Sequence, residues 1–184
     1  MEFAAREIKL KDGRTCTLRP TRPEDAAAMI EYMKVTAGET EFILRYPDEI
    51  HYTEEGEREI LERFVKDPEQ VMMVGIVDGK IAGNCALSGM GDKRKLRHRS
   101  SLAITLYKEY WNLGIGRAMI GYLSELAEQM GFEQIDLEVV ADNTRAQALY
   151  EKCGFVASGR RTRALKFDDG TYHDEILMTK ILHG

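Results

Sequence analysis

With 184 residues the chain is of single-domain size, and 43% hydrophobic residues are enough for a sizeable core. The formal net charge of −5 argues against nucleic acid as the main partner, and no apolar run reaches the length a membrane span needs. The three cysteines, Cys16, Cys85 and Cys153, are odd in number and scattered, so they give no disulfide framework and fit a reducing compartment. Met1 to Leu10 carries Glu2, Arg6, Glu7 and Lys9, which leaves no apolar core for a signal peptide. The expectation is one domain over residues 1–184, soluble and cytoplasmic.

Ile8 to Leu10 and Thr15 to Arg19 flank Lys11-Asp12-Gly13-Arg14, whose Asp-Gly pair suggests a hairpin. Thr21 and Glu24 have capping-box spacing with Pro23 in the first turn, and a helix from about Pro23 to Thr36 follows. Thr53, Glu54 and Glu55 open a second helix that ends near Lys66. Val71–Val77 and Ile81–Ser88, joined by Asp78-Gly79-Lys80, read as another hairpin. The basic run Lys93, Arg94, Lys95, Arg97, Arg99 reads as a solvated loop, with a role near a ligand phosphate or an acidic partner as the other reading.

Ser101 to Leu106 alternates, placing Leu102, Ile104 and Leu106 on one face. Tyr110 to Arg117 then reads as a strand end, a tight Gly114-Ile115-Gly116 turn and a helix start. Such a turn leaves backbone N–H groups pointing one way, and with the helix dipole they attract a phosphate or pyrophosphate. Ile115, Ala118, Met119, Tyr122, Leu123, Leu126, Ala127 and Met130 recur at helical spacing, and Gly131 ends the helix. Ile135, Leu137 and Val139 alternate in the next strand. Asn143 opens a short helix with Ala146, Leu149, Tyr150 and Cys153 on one side, which Gly154 ends. Two more strands surround Asp168-Asp169-Gly170. The count comes to about seven strands and four helices, an α/β (α+β) arrangement with a mixed, mostly antiparallel sheet and helices on both faces.

Gly-x-Gly alone is weak. The dinucleotide fingerprint fails because the next glycine is Gly121, and the phosphate-loop pattern fails for want of Gly-Lys-Ser/Thr. The second segment is more telling. Residues 101–155 resemble the acetyl-CoA-binding core of the GNAT superfamily of N-acyltransferases. That family's loop reads Gln/Arg-x-x-Gly-x-Gly/Ala; here Gly114 and Gly116 match and Trp111 departs, leaving any side-chain task of the Gln or Arg unfilled. Its second motif, Asn-x-x-Ala-x-x-Leu-Tyr-x-x-x-Gly-Phe, is met by Asn143, Ala146, Leu149, Tyr150, Gly154 and Phe155.

The resemblance implies acetyl-CoA as co-substrate and direct transfer to a primary amine or peptide N-terminus. Backbone groups of Ile104, Thr105 and Leu106 would pair with the pantetheine arm as with a strand. Residues Asn112, Leu113, Gly114, Ile115, Gly116, Arg117 and Ala118 would cradle the pyrophosphate, Asn143 and Ala146 would meet the cofactor, and Arg117 or Lys152 would lie near the nucleotide phosphates. Tyr150, two helical turns beyond Asn143, would protonate the departing CoA thiolate. No metal, nucleic acid or membrane is called for, and a homodimer is expected by analogy.

The general base stays open. Many relatives place a glutamate in the strand before the glycine loop, and Ser101 stands there instead. A water chain to Glu138, His98 or Glu175 is the alternative, with Glu138 the nominee and a plain strand polar residue its bland reading. His51, His98, His173 and His183 lack metal-ligand spacing. Tyr172-His173-Asp174-Glu175 reads as a solvated strand end or the edge of a site. Cys153, on an apolar face without an activating partner, makes a poor nucleophile. The acidic segment with Glu39, Glu41, Asp48, Glu49, Glu54, Glu55, Glu57, Glu59 and Glu62 reads as a solvated helix, or as a lining for a cationic amine. The rival function is a CoA-binding sensor without turnover.

Overall fold

The computed structural model describes residues 2–182. In chain order these form β1 (Arg6–Lys9), β2 (Thr15–Pro20), α1 (Ala26–Glu39), α2 (Glu54–Lys66), β3 (Gln70–Val77), β4 (Lys80–Gly89), β5 (Arg99–Leu106), α3 (Ile115–Gln129), β6 (Gln134–Val140), α4 (Thr144–Lys152), β7 (Val156–Lys166) and β8 (Tyr172–Ile181). The fold is mixed α/β and mostly antiparallel, with eight strands where the sequence count comes to about seven. The short β1 pairs with β2 as the Asp-Gly hairpin suggests, and only Ile8 among its side chains is even half-buried. His183 lies outside the described residues.

The chain gathers into two compact units, and β5 and α3 each contribute to both. The first holds the described residues up to Ser88 together with Ala103–Leu123. Within it β1, β2, β3 and β4 pair as successive antiparallel neighbours. Asp78 and Gly79 turn the β3–β4 hairpin at φ of 50° and 78°, the left-handed pair that matches strand twist. Val74 and Met72 of β3 share a core with Ala26, Met29 and Tyr32 of α1 and Leu61 of α2. The neighbouring Gly75 leaves its place to Cys16 and Ile115, so α3 begins on the opposite face of β3. Alternating side chains thus give this part of the sheet helices on both faces.

Two helix starts differ in how they are capped. Thr53 caps α2 as its sequence suggests, its hydroxyl accepting from Gly56 N–H at 3.1 Å. The Thr21–Glu24 capping box does not form. Thr21 is buried and donates to Met72 O across the sheet, while Asp25 accepts from Arg22 N–H at 2.8 Å and from both Arg19 guanidinium nitrogens. A single 3-10 turn, Pro23–Asp25, therefore precedes α1.

The second unit holds Gly89–Leu102 and the described residues from Ser124 onward. Here β5 and β6 run parallel, an arrangement that requires the α3 crossover, and β6, β8 and β7 follow as antiparallel neighbours. Asp136 knits three strands together, accepting from Arg99 Nε of β5 and Thr179 Oγ1 of β8. Gly131 at φ 85° ends α3, and Gly154 at φ 90° ends α4.

Candidate active site

The β5–β6 register covers only Arg99–Ser101 against Gln134–Asp136. Ala103–Leu106 run on past the last pair, so on that edge their peptide groups are not spent on a ladder. The other edge is held tightly: Tyr107 N–H donates to Ala82 O, and Gly83 approaches so closely that a Cβ there would lie 2.7 Å from Thr105 O. Ile104, Thr105 and Leu106 are half-buried, an extended segment open along one side.

Past β5 the chain turns through two left-handed residues, Asn112 at φ 64° and Gly114 at φ 101°. Asparagine tolerates that region better than other side chains, and glycine occupies it freely. The first intrahelical bond of α3 is Ala118 N–H to Gly114 O at 3.1 Å, so the N–H groups of Ile115, Gly116 and Arg117 precede the helical ladder. Ile115 is fully buried and anchors the turn from below, while Asn112, Gly114 and Arg117 face solvent. The turn is braced twice. Lys11 N–H donates to Leu113 O at 3.3 Å, and the Arg14 guanidinium sits 5.3 Å from the centre of the Tyr110 ring. Trp111, which replaces the family's Gln or Arg, donates its indole N–H to Leu106 O at 3.0 Å.

In the second unit Asn143 is the N-cap of α4, its Oδ1 accepting from Ala146 N–H at 3.2 Å. Its side-chain oxygen is thus engaged in shaping the helix, and the amide nitrogen is the group positioned to serve as a donor. Tyr150 is buried and meets Phe155 in an edge-to-face contact at 5.9 Å, so two motif residues orient one another. Ala146 is half-buried, and Lys152 is exposed.

The nominated base is ion-paired. Glu138 Oε1 lies 2.8 Å from Arg161 Nη2, and the same guanidinium holds Glu175 Oε2 at 2.7 Å. Both carboxylates are committed to a cation, which weighs against either as the end of a proton-accepting water chain. Ser101 is exposed, and His98 contributes its carbonyl to Glu133 and Gln134 N–H. His173 is fixed between Asp142 Oδ2 at 2.7 Å and Thr171 Oγ1 at 3.0 Å and stacks on Phe167, while Asp174 pairs with Arg160. This strand end is therefore a network of structural contacts. Lys93, Arg94, Lys95 and Arg97 are exposed, as a solvated loop requires, and Arg99 pairs with Asp136. Cys153 is half-buried.

Of two buried polar groups in the first unit, the sequence did not single out Tyr32 and gave Glu57 only as one acid of the segment 39–62. Tyr32 is fully buried; its hydroxyl donates to Asn84 Oδ1 at 3.1 Å and accepts from Asn84 N–H, and its ring stands edge-on to Tyr107 at 4.9 Å. Burial pushes this phenol well above its ordinary pKa. Glu57 is only 3% exposed, and burial pushes its carboxyl up to about 7 against the opposing charge of Arg45. Its signal was available: Glu57, Leu61 and Phe64 follow i, i+4, i+7 spacing, which sets the glutamate on the inward stripe of α2.

Residues 37–155 match the acetyltransferase (GNAT) family. No curated protein matches the chain. Among solved structures, the acetyltransferase of GNAT family from Streptococcus pneumoniae superposes with a TM-score of 0.86 at 29% identity, over 90% of this chain and 99% of that one. The ribosomal-protein-alanine N-acetyltransferase of Brucella melitensis gives 0.79 at 22% identity, over 90% and 99%. The protein yncA of Salmonella typhimurium, solved with its cofactor acetyl-CoA, gives 0.80 at 17% identity, over 92% and 95%.

Proposed function

The chain belongs to the GNAT family of acetyltransferases, and on that premise we propose that it moves an acetyl group from acetyl-CoA to a primary amine by direct attack. The observation that carries this reading is the open edge of Ala103–Leu106 leading straight into the glycine turn at the start of α3. An extended, half-buried strand edge suits the amides of a pantetheine arm. A helix start with N–H groups ahead of its first internal bond suits a pyrophosphate.

In this scheme Ile104 and Leu106 hold the pantetheine arm through backbone groups, and Thr105 between them turns its carbonyl to Gly83 on the held edge. One lone pair of Leu106 O goes to Trp111 and the other remains for the arm. Asn112 to Ala118 take the pyrophosphate, Arg117 and Lys152 stand by for phosphate charge, and Asn143 offers its side-chain amide. The amine nitrogen forms a bond to the thioester carbonyl carbon as the C–S bond breaks, and a strand N–H near Ile104 polarises that carbonyl. Tyr150 gives its proton to the CoA thiolate, a feasible transfer for a phenol of ordinary pKa ~10 in good geometry. Cytoplasmic action fits the three free thiols, and a homodimer is part of the proposal by analogy alone.

The test is calorimetric titration with acetyl-CoA, with ATP as control, followed by acetyl transfer to a panel of amines. Micromolar binding of acetyl-CoA without binding of ATP, and transfer to at least one amine, is the expected result. Binding without transfer would favour the sensor reading, which the ion-paired Glu138 and the serine at position 101 support. No binding of acetyl-CoA would sink both.

A further inference from the structure

The contacts that fix the start of β8 also form a path for a proton. His173 Nδ1 lies 2.7 Å from Asp142 Oδ2, and its Nε2 lies 3.0 Å from Thr171 Oγ1. A carboxylate only accepts, so Nδ1 carries the hydrogen and Nε2 of the neutral ring is left as an acceptor for the Thr171 hydroxyl. That hydroxyl has a second outlet in Asp169 Oδ1, at 2.6 Å. The array is therefore complete in two states that differ by one proton. With the ring neutral, Thr171 donates to Nε2. With the ring an imidazolium, Nε2 donates to Thr171 Oγ1 and the hydroxyl hydrogen turns to Asp169. Phe167, stacked on the ring at 4.0 Å, holds its plane in both states. The charged groups around the ring are Asp142 before α4, Asp169 in the turn, and Asp174 of β8, which pairs with Arg160 of β7. Arg163 and Lys166 of β7 lie over the Tyr172 ring instead. Positive charge formed on His173 is thus met mainly by carboxylates.

The path lies beside the residues assigned to the acyl donor, within one compact unit. Asp142 is the chain neighbour of Asn143, which caps the helix that carries Tyr150. Ala141 N–H donates to Asp174 O at 2.8 Å, so the chain next to His173 is bound to the chain next to Asp142. Thr171 is exposed, and a substrate can reach its hydroxyl. A primary amine is an ammonium ion at neutral pH and must lose a proton before it attacks, yet Glu138 and Glu175 are tied to Arg161. We propose that His173 is the general base of the transfer, taking the amine's proton through the Thr171 hydroxyl while Asp142 orients the ring. The ammonium proton passes to Thr171 Oγ1 as that hydroxyl's own hydrogen passes to Nε2. The freed nitrogen lone pair forms the N–C bond, the C–S bond breaks, and Tyr150 protonates the thiolate. The nitrogen's second proton restores Tyr150, and His173 sheds its own to water. This inference rests on the acetyltransferase reading.

The experiment compares wild type with His173→Gln, whose amide keeps a donor for Asp142 but is no base, using 1,4-diaminobutane and alaninamide as acceptors and calorimetry for acetyl-CoA. The expected result is a kcat at neutral pH lowered at least about hundredfold, with acetyl-CoA affinity within about twofold. The pH profile separates a base from a strut. Without the base the reaction waits for free amine, so kcat/KM of the variant should climb about tenfold per pH unit toward the amine's own pKa, ~10 for an alkylamine, where wild type levels off. Imidazole added to His173→Ala should restore part of the rate. Asp142→Asn, which removes the charge behind the ring, should lose about tenfold and carries the same pH comparison if the His173 variants fail to fold. A His173→Gln variant with the kcat and profile of wild type overturns the inference and leaves the acetyltransferase reading standing. A slower variant with an unchanged profile and no rescue overturns it as well, because that marks a strut. Acetyl-CoA binding with transfer to neither amine also overturns it, whereas absence of acetyl-CoA binding removes the reading beneath it.

Discussion

The indole N–H of Trp111 donates to the carbonyl oxygen of Leu106 across 3.0 Å, which ties the loop that follows β5 back onto the strand's last residue. The residue that breaks the family's loop pattern thus makes a bond of its own to the strand. It fixes the angle between the proposed pantetheine strand and the glycine turn from the strand side.

Trp111→Phe keeps the ring and removes the donor. Loss of one part-buried hydrogen bond predicts a stability decrease of about 1 kcal/mol, and a KM for acetyl-CoA raised about three- to tenfold with little change in kcat. Trp111 is the chain's one tryptophan, so intrinsic fluorescence of the wild type should change on adding acetyl-CoA and not on adding ATP. Steady-state kinetics and a fluorescence titration check both parts.

Tyr150→Phe leaves the edge-to-face contact with Phe155 in place and removes only the hydroxyl. The fold and acetyl-CoA affinity should therefore persist, with Kd within about twofold by calorimetry, while kcat falls at least about tenfold through loss of the proton donor. Equal kcat values would remove Tyr150 from the mechanism.

Gly83→Ala would place a methyl group 2.7 Å from both Thr105 O and Leu106 Cγ. A backbone oxygen held in a sheet cannot retreat cheaply, so the variant should lose about 2–3 kcal/mol, read from the urea midpoint. Its residual folded fraction should bind acetyl-CoA more weakly, because the strand that must move is the one proposed to hold it.

Glu57 gives stability a slope in pH. Its carboxyl sits at about 7 against an ordinary 4.5, because burial disfavours the charge, so the folded state holds this proton more tightly than the unfolded chain. The contribution is fully present below about pH 4.5 and is lost as pH rises through about 7. Glu57→Gln removes the slope. It should stabilise the protein by about 1–3 kcal/mol at pH 8 and leave it near wild type at pH 4, as judged by urea denaturation at the two values.

Where local pattern and tertiary need coincide, the sequence was readable. The hairpin turn at Asp78-Gly79, the Thr53 cap, the α3 stripe and the glycine ends at Gly131 and Gly154 each depend on a few adjacent residues, and each stands where the spacing puts it. Thr21 misled because its hydroxyl had a better offer from Met72, distant in sequence, than from the helix beside it. Glu138 was the nominee for the base because its ion partner Arg161 lies 23 residues away, beyond the reach of a periodicity argument. Trp111 registered only as a departure, since nothing in its neighbours announces a bond to Leu106. Glu57 was different in kind: its place on the inward stripe was visible, but the abundance of acids around it made it look like one more solvated charge.

The bond from Lys11 N–H to Leu113 O makes the first hairpin a distant abutment of the glycine turn. Gly13, at φ 90° and with nothing within 4 Å of where a side chain would begin, looks like the most dispensable residue on the surface. Yet a side chain there strains the turn that carries Lys11. If the turn holds the acyl donor as proposed, natural variation at this remote tip would register as altered appetite for that donor, and an engineer trimming or fusing the amino terminus would be adjusting the grip without touching a single residue of it.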